Sequence, residues 1–268
     1  MSSDMLENDG LFTVVKGDGE AILWFHGYTM DHSIWNNLWM HLPGYQHIAL
    51  DLPGHGKSRV WKKGETLSDI GKLIGRFAVD MGIKHLVGIS LGGMVALQVA
   101  IEYPDAFLSL TLNAAPLGGG PQEPAARQKN QNLRDIYAAR GKCIELEELW
   151  MKWPPDIFKG AASVPSLFMQ LRDLVARHSW VELGDSSMAK INNFVQPEAA
   201  MRKITANTLL LIGEHDMMSF KRTTEIMKRA MPYSARVYLD GLGHLALLEN
   251  PVICATFIKQ HLITAIQS

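Results

Sequence analysis

The sequence predicts an α/β fold: a mostly parallel central sheet flanked by helices, with an inserted all-helical cap. Three observations carry this. Through about the first 115 residues, short apolar runs alternate with longer runs of helical period, the order that builds βαβ units. The short runs are continuously apolar, as strands buried on both faces of a parallel sheet are. After residue 117 the strand pattern stops, and it resumes only past residue 204. The predicted division is a core of residues 1–117 and 205–268, with a helical cap or lid of residues 118–204 inserted between them.

The elements follow in order. Residues 21–25 (AILWF) predict a buried strand, ended by His26 and Gly27. Residues 47–51 predict a second, ended by the turn Leu52-Pro53-Gly54-His55-Gly56. Ile70, Leu73, Ile74, Phe77 and Met81 lie at helical spacing, with Thr66 and Ser68 both plausible N-caps. A strand over 85–89, a turn at Ser90, a helix over 92–102 stopped before Pro104, and a strand over 109–113 complete the first part. In the cap, Leu146, Leu149, Trp150 and Trp153 form one helical face and Leu167, Phe168, Leu171, Leu174 and Val175 another. Pro154, Pro155, Pro165 and Pro197 divide it into short helices. Strands over 208–212 and 236–239 and a helix over 251–266 end the chain.

Composition narrows the function classes. Hydrophobic residues are 47% and charged residues 20%, too apolar for a disordered chain. With 26 basic and 27 acidic side chains the formal charge is −1, which argues against a nucleic-acid or anionic-membrane binder. Cys143 and Cys254 cannot build a disulfide framework and read as small core residues of a reducing compartment. The first ten residues carry acids and no base, unlike a signal peptide, and no apolar run approaches the roughly 20 residues that span a bilayer. The expectation is a soluble, cytoplasmic protein. The 14 methionines read as gap-fillers of the core.

The chemistry centres on Gly88-Ile89-Ser90-Leu91-Gly92. G-x-S-x-G between a strand and a helix forms a sharp turn that projects the serine above the sheet. Larger side chains at 88 and 92 would collide there, and the positive helix N-terminus favours a nucleophile. A serine needs a base held in one tautomer by a carboxylate. His244 in Gly241-Leu242-Gly243-His244 and Asp216 in Gly213-Glu214-His215-Asp216 each follow a predicted strand, on the same rim as Ser90. Glu214 and, more weakly, Asp240 rival Asp216. Charge on a tetrahedral intermediate needs two N–H donors. The Leu91 N–H follows the nucleophile, and the Tyr28 N–H lies in the loop after the first strand. His26 reads as a tie for that loop. The Tyr28 ring points toward the pocket or packs beneath the cap.

Other candidates are weighed against plainer roles. Asp51 and His55 read as a hydrogen-bonded corner, and Asp31 and His32 as solvent-facing residues near the entrance. Arg127, Arg134, Arg172, Arg177 and His178 lie in the cap, where an inward arginine would hold a substrate carboxylate in a bidentate pair. Trp150, Trp153 and Phe168, with Met151 and Trp180, are candidates for an apolar acyl pocket or for packing of the cap on itself. His215 and Asp216 lack further partners at metal-ligand spacing. The glycines at 17, 19 and 118–120 lack the Lys-Ser/Thr of a phosphate loop.

HGYT at 26–29, Asp51 to Ser58 (DLPGHGKS), GISLGG at 88–93, GEHD at 213–216 and GLGH at 241–244 occur in this order. In them the chain resembles, over essentially its whole length, an α/β-hydrolase of the esterase, lactonase and thioesterase type with a helical cap. The resemblance implies Ser90 as nucleophile, Asp216 as orienting acid, His244 as base, and Tyr28 and Leu91 as oxyanion donors. Trp35 matches a common structural position of the family. The pattern is similar to enol-lactone hydrolases, carboxylesterases and the menaquinone-pathway lyase alike. Relatives with an aspartate nucleophile are disfavoured by Ser90. The expected activity is hydrolysis of a small, mainly apolar carboxylic ester, lactone or thioester through an acyl-enzyme, without cofactor or metal. The expected partner is that small acyl substrate, with neither nucleic acid nor membrane. A lyase, C–C bond hydrolase or acyltransferase on the same residues, and a low-turnover small-molecule receptor, are the alternatives.

Overall fold

The computed structural model describes residues 9–185 and 187–267. Among them one sheet of seven strands is formed by β1 (Thr13–Lys16), β2 (Glu20–Phe25), β3 (Tyr45–Leu50), β4 (His85–Ile89), β5 (Ser109–Asn113), β6 (Asn207–Gly213) and β7 (Ser234–Leu239). The order across it is β1-β3-β2-β4-β5-β6-β7. β1 runs antiparallel to β3, and every other neighbouring pair is parallel. This is the predicted α/β sheet with one added strand. β1 has only four residues and sits at the edge, half-buried, so no apolar run announces it. β3 ends at Leu50, which leaves Asp51 in the turn beyond it.

The period of two along each strand sorts the core into two faces. Leu23 and Phe25 pack with the helices Leu67–Asp80 and Leu91–Glu102. Ile22 and Trp24 pack on the other face with Trp35 and with Ile258 of the helix Pro251–Gln267. That second cluster continues into Leu133, Leu146, Leu171 and Trp180, so the helical segment shares its core with the sheet. Thr66 is the N-cap of the first helix: its hydroxyl accepts the Asp69 N–H, and the Asp69 carboxylate accepts the Thr66 N–H. Ser68 donates instead to Glu102, at 2.6 Å.

Between β5 and β6 the described residues form helices only, at Pro124–Arg140, Ile144–Met151, Pro165–Arg177, Glu182–Asp185, Ser187–Asn193 and Glu198–Met201, with one short 3₁₀ helix at Ala161–Ser163. The helix carrying Trp150 ends at Met151, and Lys152 is already extended. Trp153 therefore leaves the face predicted for it, because Pro154 disfavours helical backbone at the residue before it. Cys254 is buried, and burial pushes its thiol up to about 12. Cys143 is half-buried and sits just before its helix. Among the described residues no helix is long and apolar enough to cross a membrane.

Candidate active site

Ser90 joins β4 to the helix Leu91–Glu102 with φ 51° and ψ −124°. A serine at positive φ is strained, and strain of this kind persists only where the surroundings impose it. The surroundings here are three glycines. A Cβ on Gly88 would lie 2.6 Å from the Gly92 carbonyl oxygen, and one on Gly93 would lie 2.7 Å from the Ala115 Cβ. A Cβ on Gly92 would run into the backbone carbonyls of Phe25 and His26. The Ser90 N–H donates to the Asn113 carbonyl at 2.9 Å, and its hydroxyl makes no cap bond to the helix.

The hydroxyl meets His244 instead. Ser90 Oγ lies 2.9 Å from His244 Nε2, and His244 Nδ1 lies 3.0 Å from Asp216 Oδ1. Asp216 follows β6 and His244 follows β7, so all three stand at carboxyl ends of strands, where ligands of such sheets bind. Facing an acceptor carboxylate, Nδ1 carries the proton, which leaves Nε2 to accept from the serine. Glu214 and Asp240 are exposed, and Glu214 accepts the Gly241 N–H at 2.8 Å. Of the three acids weighed, Asp216 reaches the imidazole.

Glu249, which sequence reasoning missed, brackets the histidine. Its two oxygens accept the N–H groups of Gly243 (2.6 Å) and Leu245 (3.0 Å), the residues on either side of His244. Burial raises its pKa, and those two bonds pull against the rise. An acid five residues downstream was the only sequence signal.

The loop after β2 packs against Ser90: a Cβ on Gly27 would stand 3.6 Å from the Ser90 Cβ. Tyr28 and Leu91 line the cavity beside Ser90. His26 is buried, accepts the Leu52 N–H on Nε2 at 2.9 Å and donates from Nδ1 to the Gly27 carbonyl at 2.8 Å. Burial lowers its basicity, and it ties the loop. The helical segment grips the same loop. The Tyr28 hydroxyl donates to buried Glu182, which also bonds His178 Nε2 at 2.9 Å, and Trp150 Nε1 donates to Thr29 Oγ1 at 2.8 Å. Burial, then the Glu182 charge, raises the Tyr28 pKa well above its usual value, so the phenol stays protonated. Glu182 carried no sequence signal, since 154 residues separate it from Tyr28.

The cavity at Ser90 has a volume of about 170 Å³. Its wall is largely apolar, with Leu117, Trp150, Ile157, Leu183, Met217 and Phe220, and carries Lys129, Asn130 and Arg134. Two predicted pocket residues lie elsewhere. Trp153 is 44% exposed, and Phe168 lines a separate cavity with Glu147 and Arg172. Periodicity placed them on helical faces but could not say which cavity those faces meet. Of the arginines between β5 and β6 only Arg134 lines the Ser90 cavity, and Arg177 pairs with Asp31 at 3.0 Å. Lys129 is buried, which lowers its pKa to about 8. Asp51 forms the corner: it accepts from the His32 N–H and ring at 2.8 Å and from the Lys57 N–H at 2.9 Å. Burial alone would raise its pKa, but the bond from His32 and the neighbouring donors outweigh that, and the net shift is downward. Among the described residues no group of three or more His, Cys, Asp or Glu side chains is placed to hold a metal ion.

Residues 22–256 match a family model described as "Alpha/beta hydrolase family". The chain is 36% identical over 260 residues to the pimeloyl-[acyl-carrier protein] methyl ester esterase of Wigglesworthia glossinidia brevipalpis, covering 92% of this chain and 96% of that protein. It is 41% identical over 109 residues to the dihydrolipoyllysine-residue acetyltransferase component of the acetoin cleaving system of Cupriavidus necator. That match spans 39% of this chain and only 29% of the relative's length. The solved structure of a thermophilic esterase from Thermogutta terrifontis superposes with a TM-score of 0.78 at 23% identity, covering 97% of each chain. At that identity the likeness is one of fold.

Proposed function

This chain belongs to the alpha/beta hydrolase family, and from that premise we propose that it is a serine hydrolase of a small, mainly apolar carboxylic ester, lactone or thioester. The observation that carries the reading is the chain of contacts from Ser90 Oγ to His244 Nε2 at 2.9 Å and from His244 Nδ1 to Asp216 at 3.0 Å. The apolar wall of the cavity supports an apolar substrate body.

In this mechanism Ser90 Oγ attacks the carbonyl carbon as His244 Nε2 takes the hydroxyl proton. Asp216 stabilises the imidazolium and keeps Nδ1 protonated. The N–H groups of Tyr28 and Leu91 hold the oxyanion. The intermediate collapses as His244 hands its proton to the leaving oxygen or sulfur, leaving an acyl-Ser90 ester. His244 then takes a proton from water, the resulting hydroxide attacks the acyl carbon, and the acid is released with Ser90 restored. The helical segment serves as the cap that covers the cavity. The relative from Wigglesworthia is named for a methyl ester of an acyl chain, so methyl esters belong in the first substrate panel.

The test is turnover of p-nitrophenyl and methyl esters of varied chain length, acyl thioesters and lactones, with fluorophosphonate labelling alongside. The wild type is expected to take one label at Ser90 and to cleave at least one ester class. Ser90→Ala is expected to lose both label and turnover while remaining folded. Near wild-type cleavage by that variant would overturn the mechanism.

A further inference from the structure

We propose that the substrate carries a terminal oxyanion, carboxylate or phosphate, remote from the scissile carbonyl and held by Arg134 and Lys129. The inference rests on the ester-hydrolase reading of the Ser90 site and adds the charge of the substrate to it.

The helix Pro124–Arg140 presents Ala126, Asn130 and Arg134, spaced by four and so on one face, to the cavity that holds Ser90. Lys129 borders that stripe and lines the same cavity. Most of the remaining wall is apolar, including Leu91, Leu117, Trp150 and Phe220. A cation beside such a wall is incompletely compensated unless an opposite charge meets it. Neither cation has an acidic partner among the described residues. Lys129, 5% exposed, donates to the backbone carbonyls of Trp150 and Lys152. Arg134 is half-buried and donates to Gln131 Oε1 at 2.9 Å.

Some other cations of the segment do meet an acid: Arg177 bonds Asp31 at 3.0 Å and Arg140 bonds Glu145 at 2.6 Å. The carboxylate in the cavity wall, Glu123, is engaged by the Ser219 N–H at 2.8 Å. The wall thus holds two cations against one carboxylate. A guanidinium offers a fork of donors that matches a carboxylate or phosphate, and the ammonium adds a second positive charge. An ester with an apolar middle and an anionic end complements both parts of the wall.

The experiment measures acid release by pH-stat from matched alkyl esters. One set ends in a carboxylate, on the acyl or on the alcohol side. A second ends in a phosphate, and a third is neutral and of equal length. The wild type is expected to favour one anionic set over its neutral match by about tenfold or more in kcat/KM, and the preferred set names the anion. Arg134→Gln is expected to collapse that ratio through KM. Lys129→Met is expected to lower it, and Lys129→Arg to restore most of it. Thermal melts check that each variant folds. Equal use of anionic and neutral esters by the wild type, or an unchanged ratio in Arg134→Gln, overturns the inference and leaves the ester-hydrolase reading standing. A chain that cleaves no ester and takes no label at Ser90 overturns both.

Discussion

Asp216 holds His244 through a single oxygen. Oδ1 accepts the imidazole Nδ1–H at 3.0 Å and the Met217 N–H at 2.7 Å, while Oδ2 is buried without a partner among the described residues. The histidine tautomer and the carboxylate rotamer are thus set by the same atom. Asp216→Asn keeps the shape but can turn an amide N–H₂ toward Nδ1 and favour the wrong tautomer. It is expected to lower kcat on an activated ester by about 10³- to 10⁴-fold with little change in melting temperature. Glu214→Gln, on the exposed rim, is expected to stay within about twofold of wild type. A loss under tenfold in Asp216→Asn would mean that the tautomer is held by something else.

Tyr28 joins the site to the helical segment through Glu182. Tyr28→Phe leaves the buried Glu182 carboxylate with only the His178 bond among the described residues, so unfolding by urea is expected to show a loss of about 1–3 kcal/mol. The substitution keeps the backbone N–H assigned to the oxyanion, and kcat is expected to fall by less than about tenfold. A fall comparable to that of Ser90→Ala would assign the phenol itself to the chemistry.

Gly92 and Gly82 separate two ways in which a glycine is required. A Cβ at Gly92 meets the Phe25 and His26 carbonyls, backbone that cannot give way. Gly92→Ala is therefore expected to destabilise by about 3 kcal/mol or more, or to yield no folded protein. Gly82 has φ 67°, and a Cβ there would meet nothing within 4 Å. Gly82→Ala is expected to cost about 1 kcal/mol, from backbone strain alone. Thermal and urea melts rank the two.

His47 and His261 make stability depend on pH. Burial lowers each from 6.5 to about 4, against the pull of hydrogen bonds to the carbonyls of Leu42 and Asn207. The unfolded chain takes up these protons near pH 6.5 and the folded chain only near pH 4. Stability is therefore full above pH 6.5 and is lost as pH falls toward 4, by on the order of 3 kcal/mol per histidine. His47→Gln is expected to be less stable at pH 7.5 but to lose less between pH 6.5 and 4. Parallel curves for variant and wild type across that window would show that His47 does not titrate there.

The strands at the centre of the sheet were legible because burial on both faces writes a continuous apolar run, as in residues 21–25 and 208–212. The turn at Ser90 was legible because its steric demand falls on neighbours, Gly88 and Gly92. β1 was not, since four edge residues, one buried, two half-buried and one exposed, write no such run. Helical spacing alone misplaces Trp153, because Pro154 keeps the helix from reaching it. Phe168 does lie on the helix Pro165–Arg177, but which cavity that helix faces is a matter of how it docks.

By itself the sequence determined where the central strands lie, where the chain must turn within one residue, and which residue types stand on the common rim. Those are local consequences of burial, backbone sterics and glycine placement. The tertiary structure decided that Asp216 rather than Glu214 or Asp240 meets His244, that Glu249 and Glu182 brace the site, and that Arg134 alone of Arg127, Arg134, Arg172, Arg177 and His178 lines the cavity with Ser90. Each of these depends on how segments far apart in the chain are rotated and packed against one another, and spacing along the polypeptide carries no measure of that distance.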